Sequence, residues 1–182
     1  MRVIAGSARS INLITPRGFD TRPTTDKYKE TLFNCLQSYV GNCVFVDLFA
    51  GSGAIGIEAL SRGAQKAYFC DNSKEAINCV KENLVKTKLS DKAVVYKEDV
   101  SFFVKNRIKE LPDIIFLDPP FKLHLEKDII PLLVSEDLIG EDTIVVVECD
   151  YDADFDFLDD LDLEIFKVKE YKTNKHVFIE KK

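Results

Sequence analysis

The chain has 182 residues, 46% hydrophobic and 31% charged, with a formal net charge of −6. That length suits one domain with a sizeable core rather than two, and the composition excludes a disordered chain. No apolar run approaches the ~20 residues that span a bilayer, and the opening MRVIAGSARS is too polar for a signal-peptide core, so a cytoplasmic protein without a membrane partner is expected.

In chain order, residues 1–20 read as a small β-hairpin, the alternating runs RVIA and INLIT flanking GSARS. This end is locally basic: Arg2, Arg9, Arg17, Arg22, Lys27 and Lys29 stand against Asp20, Asp26 and Glu30, while acid concentrates at 148–164. A basic arm on an acidic body can meet RNA, because binding responds to the local field. A merely solvated segment explains the same charges, and charge alone favours it. In TDKYKETLFNCLQSYV, Tyr28, Leu32, Phe33 and Leu36 recur at helical spacing, with Thr24 or Thr25 as N-cap.

From residue 43 strands and helices alternate. CVFVDLF, KAYFCD, AVVYKED, DIIFLD and TIVVVEC read as strands; 54–62, 73–87, 100–109 and 123–133 read as helices. Short, continuously apolar strands fit a parallel sheet covered on both faces. LEIFKVKEY, the turn KTNK and HVFIEKK form a closing hairpin, which requires an antiparallel edge. The expected fold is α/β: a doubly wound sheet ending in an antiparallel hairpin.

Chemistry concentrates at strand ends. Gly51, Gly53 and Gly56 in GSGAIG spell G-x-G-x-x-G between an apolar strand and a helix, where glycine lets a ligand approach the backbone. Asp47, just before this loop, chooses between ligands: it repels the pyrophosphate of NAD and attracts the methionine ammonium of S-adenosylmethionine. Asp71, ending the second strand, suits ribose hydroxyls or a helix N-cap; Asp99, after the third, suits an adenine amino group or an N-cap about equally. IIFLDPPF then ends a strand in Asp118, Pro119, Pro120 and Phe121. An exocyclic amine is a poor nucleophile because its lone pair is delocalised into the ring. The Asp118 carboxylate and Pro119 carbonyl can hold its two protons, with no competing N–H from proline, and aim the lone pair at a methyl sulfonium. Phe121 offers a stacking face, and the base must be unpaired or flipped.

Five cysteines (35, 43, 70, 79 and 149) without C-x-x-C spacing read as reduced core residues, and His124 and His176 stand alone, so no metal site is expected.

The stretches MRVIAG, TRPTTDKYKETLFN, DLFAGSGAIGIEALSRGA, DPPF and KEY…HVFIEK, in that order and spanning nearly the whole chain, resemble the bacterial 16S rRNA (guanine(966)-N(2))-methyltransferase family. The resemblance implies a seven-stranded Rossmann-like methyltransferase domain over residues 21–182, with residues 1–20 as an extension that engages RNA. It implies S-adenosylmethionine as methyl donor and a guanine N2 of 16S rRNA, in assembled or partly assembled small subunits, as acceptor; the chain is expected to be a monomer. By motif position, Asp47, Phe49, Gly51 and Gly53 would line the methionine end, Asp71 and Asn72 the ribose, and Asp99 and Val100 the adenine. Asp118, Pro119, Pro120 and Phe121 would handle the guanine, and Arg2, Arg9, Arg17, Arg22 and Thr24 would contact RNA. One departure is visible: the family pattern resembles R-G-R-x-L after AG, whereas here Arg9 is followed by Ser10, Ile11, Asn12 and Leu13. The rival readings are an amino-group methyltransferase for DNA or protein glutamine, and an RNA-binding assembly factor without catalysis.

Overall fold

The computed structural model describes residues 1–16, 26–120 and 123–182. Among them run α1 (Asp26–Cys35), β1 (Val44–Asp47), α2 (Ala54–Ser61), β2 (Lys66–Asp71), α3 (Lys74–Thr87), β3 (Ala93–Lys97) and α4 (Val100–Asn106). β4 (Ile114–Leu117), α5 (Glu126–Ser135), β5 (Ile144–Cys149), β6 (Leu163–Glu170) and β7 (Lys175–Lys181) complete the order. The strands form one seven-stranded sheet in the order β3-β2-β1-β4-β5-β7-β6. β1 to β5 are parallel neighbours, and β7 joins antiparallel between β5 and β6. This is the expected doubly wound α/β sheet with its antiparallel C-terminal hairpin.

The sheet separates two apolar layers. Every residue of β1, β4 and β5 is buried, as a central parallel strand covered on both faces requires. Side chains alternate across the strand. Phe45, Phe116 and Val146 pack on one side with Leu32 and Phe33 of α1, Ile57 of α2 and Val80 of α3. Val46, Leu117 and Val147 pack on the other with Phe103 of α4 and Ile129 and Ile130 of α5. Fully burying one such side chain stabilises by about 1.5–3 kcal/mol. β1 and β4 are adjacent while the chain winds outward from them in opposite directions, so the switch point falls between their C-terminal ends.

The N-terminal hairpin is present in reduced form. Its antiparallel pairing is the single bridge Arg2↔Asn12, supported by Val3 N–H to the Ile11 carbonyl and Leu13 N–H to the Met1 carbonyl, both 3.0 Å. Val3, Ala8 and Leu13 join the core of α1, α2 and α3, so the hairpin is packed against the sheet domain. Helix ends are shorter than the sequence reading: 100–106 instead of 100–109, while α5 occupies 126–135 instead of 123–133. Burial holds the thiols of Cys43, Cys70 and Cys149 up at about 12, and all five cysteines are free. No helix of the described residues is long and apolar enough to cross a membrane.

Candidate active site

The candidate site lies at the C-terminal ends of β2, β1 and β4. Beyond Asp47 the chain turns through Leu48–Ser52 into α2, and Gly51 and Gly53 hold φ of +53° and +77°, the left-handed region that favours glycine. The two glycines serve different ends. A Cβ on Gly51 would meet nothing within 4 Å, leaving open space above the loop, whereas one on Gly53 would press on Val80 at 3.2 Å. Gly56 fits α2 against the sheet, since a Cβ there would strike the Phe69 ring at 2.4 Å.

Asp47 and Asp71 are tied to this loop. Asp47 is 1% exposed and accepts from Gly56 N–H at 3.2 Å. Burial pushes its carboxyl up to about 7, against the pull of that N–H and with a further push from Asp71. Asp71 accepts from Gly51 N–H at 2.9 Å through one oxygen and from Ser73 N–H at 2.8 Å through the other. It joins the glycine loop to the end of β2, and each oxygen keeps a further lone pair for a ligand. The N-cap of α3 is Ser73. Asp99 is itself the N-cap of α4, its Oδ1 accepting from Ser101 N–H at 2.9 Å and Phe102 N–H at 3.2 Å. Asn72 and Asp99 are exposed, and Phe49 and Val100 half-buried, at the same edge.

Asp118 follows β4 directly and is half-buried; Pro119 is buried and Pro120 exposed. The carboxyl is pushed well above the usual range by burial, then by the neighbouring charges of Glu148 and Asp47. Continuing the strand alternation places Asp47, Asp118, Glu148 and His176 on one face, that of Phe45 and Phe116, in a row across β1, β4, β5 and β7. Glu148, Asn174, His176 and Tyr171 were missed by motif reasoning. Glu148 obeys the rule that found Asp47 and Asp118, an acid closing an apolar strand, in TIVVVEC. His176 stands opposite Glu148 only through the β5–β7 register.

Of the residues expected to contact RNA, Arg2 and Arg9 are exposed. Arg2 is paired with Asp26 at 2.9 Å. Arg17, Arg22, Thr24 and Phe121 lie outside the described residues.

The comparisons with known proteins agree with this architecture. The family model described as Conserved hypothetical protein 95 matches residues 1–180. The Bacillus subtilis protein YlbH is 40% identical, the match covering 85% of each chain. The Haemophilus influenzae protein named Ribosomal RNA small subunit methyltransferase D is 36% identical over 84% of this chain and 80% of its own. The solved structure of Escherichia coli yhhF superposes with a TM-score of 0.88 and 28% identity, covering 100% of this chain and 98% of that one. The row of strand-end acids around an open glycine loop thus sits on a Rossmann-like methyltransferase fold, and the chain belongs to the Conserved hypothetical protein 95 family, alongside the proteins named ribosomal RNA small subunit methyltransferase D.

Proposed function

We propose that this chain transfers a methyl group from S-adenosylmethionine to the exocyclic N2 of a guanine in 16S rRNA, acting as a cytoplasmic monomer on assembled or partly assembled small subunits. The observation that carries the reading is the pair of acids flanking the switch point: Asp47 beneath an open glycine loop and Asp118 at the adjacent strand end. The pocket chemistry fits the cofactor. Gly51 leaves space for a ligand to approach the backbone, a buried Asp47 favours a cation, and Asp71 can accept from ribose hydroxyls. When bound, S-adenosylmethionine supplies an electrophilic methyl group on a sulfonium.

The chain's own residues position the acceptor. Asp118 and the Pro119 carbonyl hold the two amine protons, turning the nitrogen lone pair toward the methyl group and stabilising the charge that develops on nitrogen. Phe121 stacks the flipped base, a contact worth about 1–3 kcal/mol. Arg22 and Thr24 contact the RNA near the site mouth, and Arg2, Arg9 and Arg17 contact it from the N-terminal segment. The test combines calorimetry with S-adenosylmethionine and NAD and a methyl-transfer assay. The assay offers unmodified small-subunit particles, naked 16S rRNA, DNA and protein. Binding of S-adenosylmethionine but not NAD, with label entering rRNA, is the expected result; NAD binding, or label in DNA or protein alone, would overturn the proposal.

A further inference from the structure

Glu148 has no part in the reaction described above, yet it ends β5 directly beside Asp118. The pairing Leu117↔Val147, continued by one residue, sets 118 opposite 148 on strands about 4.8 Å apart. The two acids are supplied very differently. Among the described residues no donor reaches Asp118. Glu148 accepts from Asn174 Nδ2 at 2.5 Å and from His176 Nε2 at 3.1 Å. His176, fully buried, is fixed in turn. The Tyr171 hydroxyl lies 2.9 Å from its Nδ1, and its ring is edge-on to Phe116 at 6.2 Å and to Tyr171 at 4.9 Å. Because a carboxylate only accepts, Nε2 carries the hydrogen directed at Glu148. Burial keeps Tyr171 a neutral phenol, whose O–H serves Nδ1. Tyr28 of α1 closes over this group, its ring 4.4 Å from that of Tyr171.

We propose that Glu148, fixed by Asn174 and His176, is a positioning residue of the methyl-transfer site whose negative charge decides when Asp118 is ionised. This rests on the role given to Asp118 above. Glu148 is held at the end of β5 by its two donors, and a second carboxylate beside Asp118 in a poorly solvated place favours the protonated form of Asp118. The titratable groups facing Asp118 are Asp47 from β1, Glu148 from β5 and, behind Glu148, His176 from β7 and Tyr171; none of the described groups acting on it is a cation. During transfer the N2–methyl bond forms as the methyl–sulfur bond breaks. The positive charge passes from sulfur to nitrogen, and nitrogen then sheds one of its two protons. An ionised Asp118 can hold the amine and receive that proton; a protonated Asp118 can do neither well. Methyl transfer therefore rises with pH along a limb set by the Asp118–Glu148 pair.

Two measurements on the full chain test this. Carboxyl-carbon NMR should show Asp118 of the native protein ionising above the ordinary carboxylate range. In Glu148→Gln it should ionise at about tenfold or more higher proton concentration. The acid limb of the single-turnover rate on unmodified small-subunit particles should move to lower pH in the same variant, whereas loss of a merely structural contact would lower the rate alike at every pH. An Asp118 that ionises in the ordinary range in the native protein overturns the proposal, even if Glu148→Gln does not fold. Titrations and rate limbs that the substitution leaves in place overturn it too. Failure of the native chain to methylate any RNA would instead remove the reaction, while the NMR titration still decides whether Glu148 controls Asp118.

Discussion

Asp47 is buried to 1% exposure, and its carboxyl ionises near pH 7 in the folded chain against a reference of 3.8. Between about pH 4 and pH 7 the folded state therefore holds a proton that the unfolded state releases, so stability falls as pH rises through that window. The loss reaches about 4 kcal/mol if the full displacement applies. Asp47→Asn should remove it: the variant should melt higher than the native chain at pH 8 and show little difference at pH 4. The same substitution should weaken S-adenosylmethionine binding at least about tenfold, the scale of one charge-assisted hydrogen bond. Matching pH–melting curves for the two proteins, or unchanged cofactor affinity, would contradict this role. Asp47, Asp71 and Asp118 were legible because each closes an apolar run. Glu148 and His176 were not read as a pair, because 28 residues separate them and only the strand register brings them together. Asp99 was legible in both its readings, and the N-cap geometry is the one the folded chain displays.

At the scale of elements, the N-terminal hairpin depends on one buried carboxylate. Glu58 of α2 accepts from Ile4 N–H at 2.8 Å and Ala5 N–H at 3.0 Å, and pairs with Lys29 at 3.1 Å and Arg62 at 2.8 Å. Lys29 also donates to the Arg2 carbonyl at 2.6 Å. Asn83 of α3 fastens Ile14 from both sides, donating to its carbonyl and accepting from its N–H. Glu58→Gln would leave the buried Lys29 uncompensated and should destabilise by about 3–5 kcal/mol in urea unfolding. The double variant Lys29→Met/Glu58→Met should recover part of that loss; a single variant as stable as the native chain would show that the clamp is unimportant. The alternation of RVIA and INLIT made the hairpin legible, but not its docking. Lys29 belongs to a polar-looking stretch of α1, and its partner Glu58 lies in another helix, so no local pattern marks either as buried. The clamp also means that removing the hairpin would disturb the core shared by Val3, Ala8 and Leu13. RNA contact is better tested by neutralising exposed Arg9 than by truncation.

At the scale of the molecule, the order β3-β2-β1-β4-β5-β7-β6 brings every strand-end acid of the proposed reaction to one edge of the sheet. The parallel core and terminal hairpin were legible from short apolar strands separated by amphipathic helices; the strand order was not, because more than one order is doubly wound. The DPPF turn pointed to an exocyclic amine, but the proposed 16S rRNA acceptor came only through the resemblance, because the net charge of −6 by itself points away from nucleic acid. On the proposed reading a domain with this charge engages RNA through a local basic surface, so neutralising Arg9 should reduce methylation of particles while leaving cofactor affinity intact; an equal loss of both would assign Arg9 to folding. The central claim, methylation of a guanine N2 in 16S rRNA, is tested most directly by mass spectrometry of nucleosides from 16S rRNA of cells with the chain, without it, and with Asp118→Ala in its place. The account predicts one N2-methylguanosine present in the first and missing from the other two; the same N2-methylguanosine content in all three would contradict it.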